Sequence, residues 1–465
     1  MIEILIGAIL VYYVCLHGLY ALLIALGATQ LRRYQMGVTF GEYRRIAESP
    51  LTMPISLVIP AYNEEMVIVN TVLCALKLRY PQHEVIVVND GSGDKTVAAL
   101  VERFGMRSVR KVGQRHFATQ PVSRVFVSSA FPNLVVVDKA NGRRADAINA
   151  GVNLARYPLL CIIDADSILE RDALLHVVRP FQRNASVAAA TGMVRPANGL
   201  LVEDGEIVSA REPRGTLALM QAVEYLRSFQ WARLGLSRLS SMLCISGAFM
   251  VVRKDVFIAM KGVDPTSITD DIEFTVRLHR HVYEQPAETR QRICYVPDAV
   301  CYTEVPETHR VYAAQRNRWQ RGTLQALLRN WRMTFNPRYG LAGLFGMPFF
   351  LFFEAFAALV EGVSYALIPV AFVLGLATLS QLGAFLALAI VLGSLLSVAA
   401  ILLQETTHLR VESTRDLLRL IGAAFVENLL YHQLHLLWRI GGTFDYLVRR
   451  RTDLGLMVRY GSFQR

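Results

Sequence analysis

The feature that most constrains the fold is a run of 43 residues, 362–404, without Asp, Glu, Lys or Arg. A helix needs about 20 apolar residues to cross a bilayer. The run is therefore long enough for two crossings, with a polar break at Ser380-Gln381-Leu382-Gly383. We predict a transmembrane hairpin that turns at residues 380–383.

A second uncharged run covers residues 4–31 and is followed at once by Arg32 and Arg33. Arginines beside a span favour the cytosolic side of the membrane. The sequence starts Met-Ile-Glu, with the acidic residue Glu3 before the apolar run, whereas a cleaved signal peptide has positive charge before its apolar stretch. We predict a retained transmembrane anchor over residues 1–31, with its N-terminus outside.

Two further apolar stretches, residues 341–360 and 417–440, are interrupted by polar residues and by Pro348. The interrupting polar residues are Glu354, Glu427, Asn428, His432, Gln433 and His435. We predict interfacial helices for both stretches, so that residues 341–440 form a hairpin with flanking interfacial helices. Three crossings place every basic cluster inside, including a basic tail at 441–465, whereas five would place Arg410, Arg415 and Arg419 outside.

The composition indicates a hybrid of membrane and soluble parts, because 53% of the residues are hydrophobic and the net charge is +11. The cations lie beside membrane segments and are not interleaved with aromatic residues, which argues against nucleic acid as a partner. An anionic lipid surface and a phosphate-bearing substrate explain them better. The six cysteines form no CxxC pair, so we expect a reducing compartment and no zinc site.

Residues 50–335 predict an α/β domain. Apolar runs at 55–60, 84–90, 133–139 and 159–164 alternate with helical patterns, which is typical of a mostly parallel sheet. Ligands of such sheets bind beyond the carboxyl ends of the strands. The charged residues at these predicted ends are Asp90, Lys139, Asp164 and Asp166. The basic segment 105–132 is predicted to be a loop that is either solvated or in contact with membrane or substrate.

Asp164 and Asp166 are separated by one residue, so on a strand both can reach one ion. Carboxylate oxygens suit Mg²⁺ or Mn²⁺. The alternative is that Asp166 or Ser167 caps the following helix.

Other polar motifs also allow two readings. Asp90 lies in a glycine-rich turn, and Lys139 precedes Arg143 and Arg144 at a predicted helix start, where phosphate binds well. The alternatives are a simple turn and ordinary surface charge. Asp270 and Asp271 could supply a general base, or they could be first-turn residues favoured by the helix dipole.

A further cluster is Gln315, Arg318 and Trp319, which share one face of a predicted helix. Arginine can pair with a diphosphate, and an indole gives a sugar ring an apolar platform. The alternative is a basic interfacial helix with a Trp anchor.

Seven motifs, in this order, resemble the membrane-embedded family-2 glycosyltransferases, which include synthases of cellulose, hyaluronan, chitin and poly-N-acetylglucosamine. The motifs are IPAYNEE, VNDGSGDKT, DKANGRRADAINAG, DADS, SGAF, TDDIEF and QRNRW. The resemblance implies a Rossmann-like GT-A nucleotide-sugar domain fused to transmembrane and interfacial helices. It covers about residues 50–330.

The resemblance also implies roles for single residues. Asp90 would bind uracil and ribose beside the loop 61–64. Asp164 and Asp166 would hold the metal. Lys139 and Arg144 would meet the nucleotide. Asp271 would act as the general base, with Asp270 beside it, and the motif of Gln315, Arg318 and Trp319 would close over the diphosphate and the acceptor.

Two positions depart from the family's usual pattern. Asp270 stands where glutamate is usual, and Arg143 and Arg144 replace a glycine and a lysine that are common in relatives. These changes bear on the geometry of the acids and on the phosphate contacts. We expect no PilZ-like regulatory domain in the remaining chain, and therefore no direct control of this polypeptide by cyclic-di-GMP.

The predicted function is inverting, metal-dependent transfer from a UDP-sugar to a growing β-linked polysaccharide at the inner membrane, with the catalytic domain in the cytosol and the product translocated. One alternative is a non-processive enzyme that acts on a lipid-linked or short glycan acceptor. The other is a transporter or structural membrane protein whose cytosolic domain only binds nucleotide.

Overall fold

The computed structural model describes residues 2–37, 40–110, 113–407, 411, 413–453 and 461. These residues form two compact units. Of the described residues, the sheet unit comprises those within 35–211 and 243–305 together with residue 461, and the helical unit comprises those within 2–34, 212–242 and 306–453. Arg410 and much of the predicted basic tail lie outside the described residues.

The sheet unit contains all the described strands. They are β1 Ile55–Ala61, β2 His83–Asp90, β3 Met106–Val109, β4 Val122–Ser128, β5 Leu134–Lys139, β6 Leu159–Ile162, β7 Ser167–Leu169, β8 Val187–Pro196, β9 Leu200–Glu203, β10 Glu206–Ala210, β11 Met250–Arg253 and β12 Arg292–Thr303. Helices cover the sheet or connect its strands. Those of the sheet unit are α2 Phe40–Glu48, α3 Ile68–Leu76, α4 Thr96–Arg103, α5 Arg143–Leu154, α6 Ala173–Arg183, α9 Lys254–Ala259 and α10 Asp270–Glu284.

The main sheet has ten described strands in the order β3-β4-β5-β2-β1-β6-β11-β8-β12-β7. Its centre, β5-β2-β1-β6, is parallel. Val85 to Val88 are fully buried, as expected for a parallel strand covered on both faces. The predicted α/β class is confirmed, and the predicted strands at 55–60, 84–90 and 133–139 match β1, β2 and β5 closely.

The prediction of a loop at 105–132 is wrong. Met106–Val109 and Val122–Ser128 form β3 and β4, which pair with each other antiparallel, and β4 pairs with β5. Exposed side chains on both strands hide the alternation, because β3 is an edge strand and only part of each strand is buried.

Helix α5 packs closely on the parallel strands. A Cβ added at Gly151 would lie 2.5 Å from Val58 Cγ1 on β1, so only glycine allows this approach. The N-terminal turn of α5 is thereby fixed at the carboxyl edge of the sheet, where β2, β5 and β6 end.

The helical unit contains the remaining helices. They are α1 Ile2–Met36, α7 Thr216–Glu224, α8 Arg233–Arg238, α11 His309–Arg329, α12 Ala357–Val373, α13 Leu379–Leu386, α14 Gly393–Gln404, α15 Thr414–Val426 and α16 His432–Leu447. Among the described residues, three helical segments are long and apolar enough to cross a membrane: Ile2–Met36, Ala342–Val373 and Leu379–Gln404. Residues 417–440 form α15, a π-helical turn and α16, and are not among these three.

The hairpin turns earlier than predicted. The break between its helices lies at residues 374–378, and residues 380–383 belong to α13. Thr378 and Gln381 form a capping box: Gln381 N donates to Thr378 Oγ1 at 3.2 Å, and Thr378 N donates to Gln381 Oε1 at 2.8 Å. The polar residues therefore start the second helix instead of forming the turn.

The segment 341–360, predicted as interfacial, contributes to the candidate span Ala342–Val373.

Two close pairs of polar side chains lie inside the helical unit. Arg227 donates to both carboxylate oxygens of Glu427 at 2.9 Å, and His432 Nε2 lies 2.6 Å from Glu361 Oε2. Unpaired charges among apolar helices would cost several kcal/mol. Glu427 and His432, which interrupt the apolar stretch 417–440, therefore link helical segments within the unit.

Helix α1 approaches α8 and the residues just before it through two glycines. A Cβ on Gly27 would lie 2.6 Å from Trp231 O, and a Cβ on Gly235 would lie 2.2 Å from Leu23 O. Small residues allow such close helix contacts in membranes. Gly18, on the same helix α1, has open space around its Cβ position.

We expect Gly27→Leu to lower the thermal unfolding midpoint of the detergent-solubilised protein, because the larger side chain separates the helices at a cost of about 1–3 kcal/mol. Gly18→Leu is the matched control and should leave the midpoint near that of the wild type. Equal effects of the two variants would show that the close contact at Gly27 does not stabilise the protein.

Candidate active site

The parallel strands bring three of the predicted site residues to one edge of the sheet. Asp90 and Lys139 end β2 and β5 and are direct partners in the strand register. Asp164 follows β6, which is parallel to β1 and ends at Ile162. Because parallel strands share one carboxyl edge, these residues lie where open α/β sheets bind ligands.

Lys139 is fully buried and is held by two acids. Its Nζ lies 2.6 Å from Asp90 Oδ1 and 2.6 Å from Asp146 Oδ2, and it donates to Ala140 O at 2.6 Å. All three protons of the ammonium thus have acceptors within the protein. Lys139 ties the ends of β2 and β5 to the first turn of α5, and its predicted contact with the nucleotide stays a prediction.

The turn after β2 is locked onto the start of α5. Gly142 N donates to Asp90 Oδ1 at 2.9 Å, and Asn141 Nδ2 donates to Asp90 O at 2.8 Å. Gly91 has a φ of +70°, and a Cβ there would lie 2.8 Å from Asn141 N. The glycine is required both by its backbone conformation and by the close approach of the two segments.

Hydrogen bonds join the loop after β1 to the loop after β2. Asn63 N donates to Ser92 Oγ at 2.9 Å, Gly93 N donates to Asn63 Oδ1 at 2.9 Å, and Lys95 N donates to Glu65 Oε2 at 2.9 Å. The loop 61–64 therefore lies beside the Asp90 turn, in the relation that the family resemblance implied.

Asp164 and Asp166 lie in a tight turn, in which Ser167 N donates to Asp164 O at 3.0 Å. The side chain of Asp164 is 28% exposed, whereas Asp166 is buried and accepts from Thr303 Oγ1 at 3.4 Å. Burial raises the pKa of the Cys301 thiol, and the carboxylates of Asp164 and Asp166 raise it further.

The capping alternative for Asp166 and Ser167 is wrong. Residues Ser167–Leu169 form β7, and α6 begins only at Ala173, after Asp172. The acids at 164 and 166 consequently do not serve to start a helix. The strand β6 also ends two residues earlier than predicted, so a turn and not a strand presents the two carboxylates.

Arg144 joins the two acid motifs, which are more than 100 residues apart in sequence. Its Nε and Nη2 donate to Asp164 Oδ1 at 2.9 and 2.7 Å, and its Nη1 donates to Asp270. Burial would lower the pKa of the guanidinium, but the carboxylates of Asp164 and Asp270 raise it above its ordinary value. Arg144 therefore stays charged and holds these acids together.

Asp271 is linked to the same cluster through Gly247. Gly247 N donates to Asp271 Oδ2 at 3.3 Å, and Gly247 O accepts from Arg144 Nη2 at 2.8 Å. Asp270 and Asp271 are the first residues of α10, so the helix dipole also favours them there. The structure thus places Asp164, Asp270 and Asp271 around one guanidinium in the sheet unit.

Gln315, Arg318 and Trp319 lie on α11 of the helical unit, where their spacing puts them on one face, as predicted. Trp319 packs near Phe229, with ring centroids 5.9 Å apart, and the guanidinium of Arg316 lies 4.4 Å from its ring centroid. The indole is therefore fixed within its own unit. The predicted binding role of the three residues stays a prediction.

Two residues of the cluster, Asp146 and Gly247, are not among the predicted site residues. Asp146 is the second acceptor of the Lys139 ammonium, and Gly247 connects Arg144 to Asp271. Gly247 belongs to the motif SGAF, which supports the resemblance to the family, but the sequence predicts no role for this glycine. Asp146 had only its place in the first turn of α5 as a signal.

The donor set suits a hard divalent cation. Among the described residues, no three His, Cys, Asp or Glu side chains come together as a metal site. Mg²⁺ commonly takes only one or two carboxylates from the protein, and substrate phosphates and waters supply the other ligands. Asp164 and Asp166, one partly exposed and one buried, fit that arrangement.

Comparison with protein families decides the classification. The profile described as "Glycosyltransferase like family 2" matches residues 53–322, which is more than half of the chain. The chain belongs to glycosyltransferase family 2. A chitin synthase profile matches residues 285–420 of the transferase.

Curated relatives of the transferase include poly-β-1,6-N-acetyl-D-glucosamine synthases. The protein of Staphylococcus epidermidis is 28% identical over 284 residues, and that of Staphylococcus aureus (strain COL) is 26% identical over 285 residues. Each match covers 61% of this chain and 58% of the relative. The match thus spans little more than half the length of these relatives.

A solved structure confirms the fold of the transferase. The mannosyltransferase PcManGT of Pyrobaculum calidifontis, in complex with GDP-Man and Mn²⁺, aligns with a TM-score of 0.52 at 17% identity. The alignment covers 93% of this chain and 100% of that chain. The sheet unit has the GT-A fold that the resemblance implied.

Proposed function

We propose that this transferase moves N-acetylglucosamine from a UDP-sugar to a growing β-linked glycan, with inversion at the anomeric carbon. The sugar is suggested by the names of the curated relatives. The observation that carries the proposal is the guanidinium of Arg144, which links Asp164 to Asp270 and, through Gly247, to Asp271. The acid proposed for the donor side, Asp164, and the acid proposed for the acceptor side, Asp271, can therefore act in one site.

Each acid takes a different task. Asp271 accepts the proton of the acceptor hydroxyl as its oxygen attacks the anomeric carbon from the face opposite the nucleotide. Asp164 and Asp166 hold Mg²⁺ or Mn²⁺, which when bound offsets the charge of the diphosphate. Asp90 lies in the turn that receives the nucleoside. Arg318 and Gln315 bind the diphosphate, and Trp319 provides a platform for the acceptor sugar.

The membrane segments determine on which side of the bilayer the donor binds and to which side the product moves. With Arg32 and Arg33 after the first candidate span, the sheet unit lies in the cytosol at the inner membrane. The three candidate spans then pass a processive product across the bilayer. A lipid-linked or short glycan starts the chain.

Product length tests the proposal. The purified full chain, in detergent or lipid nanodiscs, is supplied with a panel of UDP-sugars and Mn²⁺, and the products are analysed by mass. We expect a long polymer from UDP-N-acetylglucosamine. Addition of a single sugar would replace processive synthesis with the non-processive alternative, and nucleotide binding without transfer or hydrolysis would favour the transporter or structural alternative.

We expect transfer to stop when a chelator removes divalent cations and to return when Mn²⁺ or Mg²⁺ is added. Asp166→Asn should raise the Mn²⁺ concentration needed for half-maximal transfer by at least about tenfold, since one charged oxygen ligand is lost. Asp172→Asn, at a partly exposed acid before α6, is the matched control. Full activity of the chelated wild type would rule out the metal.

A further inference from the structure

The side chain of Arg144 uses most of its donors inside the protein. Nε donates to Asp164, Nη2 donates to Asp164 and to Gly247 O at 2.8 Å, and Nη1 donates to Asp270. A guanidinium has five N–H donors, so these contacts leave one, on Nη1. A bidentate grip on a diphosphate needs two parallel donors. In this conformation the arginine cannot supply them.

The contacts of Arg144 reach three separate segments. They are the turn after β6, the start of α10 and the segment that holds Gly247. Gly247 in turn donates to Asp271 through its N–H. One side chain on α5 therefore fixes the position of the proposed base relative to the first of the proposed metal ligands.

We propose that Arg144 is a positioning residue, and not a ligand of the donor: it sets the distance between the donor-side acid Asp164 and the acceptor-side turn at Asp270 and Asp271. This inference rests on the proposed function. It also explains why arginine and not lysine stands at position 144. A planar fork can span two carboxylates at once, whereas an ammonium is a point charge on a flexible stem.

The same contact places a positive charge beside a carboxylate that would hold the metal. Removing that charge makes Asp164 a stronger attractor of cations. Arg144→Met should therefore have two opposite effects: looser geometry for transfer, and tighter binding of Mn²⁺. Loss of a residue that binds the diphosphate, or loss of a merely structural residue, would not produce this combination.

The test compares the wild type, Arg144→Met and Arg144→Lys as full chains in detergent. Mn²⁺ binding without nucleotide is followed by electron paramagnetic resonance of the free ion, and UDP affinity is measured by calorimetry. The parameters kcat and KM are measured with UDP-N-acetylglucosamine as the donor. For Arg144→Met we expect kcat to fall at least about tenfold, KM and UDP affinity to stay within about twofold, and Mn²⁺ to bind about tenfold tighter. Arg144→Lys should recover part of kcat and bring the Mn²⁺ affinity back toward that of the wild type.

Arg124→Met is the matched control, because Arg124 forms an exposed ion pair with Asp138 at 3.0 Å in the same unit. It should leave all four quantities unchanged. If Arg144→Met is unstable, Arg144→Lys alone decides, since it should lower kcat while KM and UDP affinity remain. Weaker UDP binding with unchanged kcat would make Arg144 a donor ligand and overturn the inference, and so would unchanged or weaker Mn²⁺ binding. Because wild-type transfer is measured in parallel, an inactive wild type would refute the proposed function instead.

Discussion

Asp271→Asn is expected to reduce transfer by about 10³-fold while UDP affinity stays near that of the wild type, because an amide cannot accept the proton of the acceptor hydroxyl. Asparagine keeps the shape of the side chain, and its single oxygen can accept from either Gly247 N or Ile272 N, the two contacts that Asp271 makes at 3.3 and 2.8 Å. The rate is followed by release of UDP and by incorporation of labelled sugar.

The matched control is Asp255→Asn, which distinguishes a catalytic role of Asp271 from a role in starting its helix. Asp255 is the second residue of α9, as Asp271 is of α10, and each carboxylate accepts from the next backbone N–H at 2.8 Å. Asp255 is exposed and outside the cluster around Arg144. If Asp271 served only as a first-turn residue, both variants would have equally small effects on turnover, and the base assignment would be wrong.

Lys139→Met is expected to lower the free energy of unfolding of the sheet unit by about 3–5 kcal/mol, because it leaves the buried carboxylates of Asp90 and Asp146 without their cation. The measurement is thermal unfolding of the full chain followed by intrinsic fluorescence, with a midpoint about 10 °C lower than that of the wild type.

Arg79→Met supplies the comparison, since Arg79 and Asp172 form an exposed ion pair at 2.7 Å that is worth at most about 1 kcal/mol. Adding Asp146→Asn to Lys139→Met should recover part of the loss, because one of the two uncompensated charges disappears. A Lys139→Met protein that unfolds like Arg79→Met but binds UDP poorly would restore the predicted contact between Lys139 and the nucleotide.

Local sequence was enough to predict the centre of the sheet. β1, β2 and β5 are short runs of buried apolar residues, and their parallel pairing places Asp90 and Lys139 at one edge. β3 and β4 are not predicted because five of their eleven side chains are exposed and the exposed and buried positions do not alternate. The hairpin turn was misplaced because Gln381 reads as a loop residue, although it caps α13.

The candidate site was predicted as a set of residue types but not as an arrangement. Arg144 and Asp270 are 126 positions apart, and nothing in either motif indicates that they touch. Likewise, the pairing of Lys139 with Asp146 depends on the packing of α5 on the sheet, which the glycine at 151 allows. Such contacts follow from the fold and become visible only when the elements are placed together.

The central claim is that Asp164 and Asp166 hold the metal of the donor diphosphate while Asp271 faces the acceptor in the same cavity. The most direct test is a structure of the Asp271→Asn protein with Mn²⁺ and intact UDP-N-acetylglucosamine. We expect the ion between the diphosphate and residues 164 and 166, with the side chain at 271 on the opposite side of the anomeric carbon from the nucleotide. A donor bound away from these acids, or an anomeric carbon out of reach of residue 271, would contradict the account.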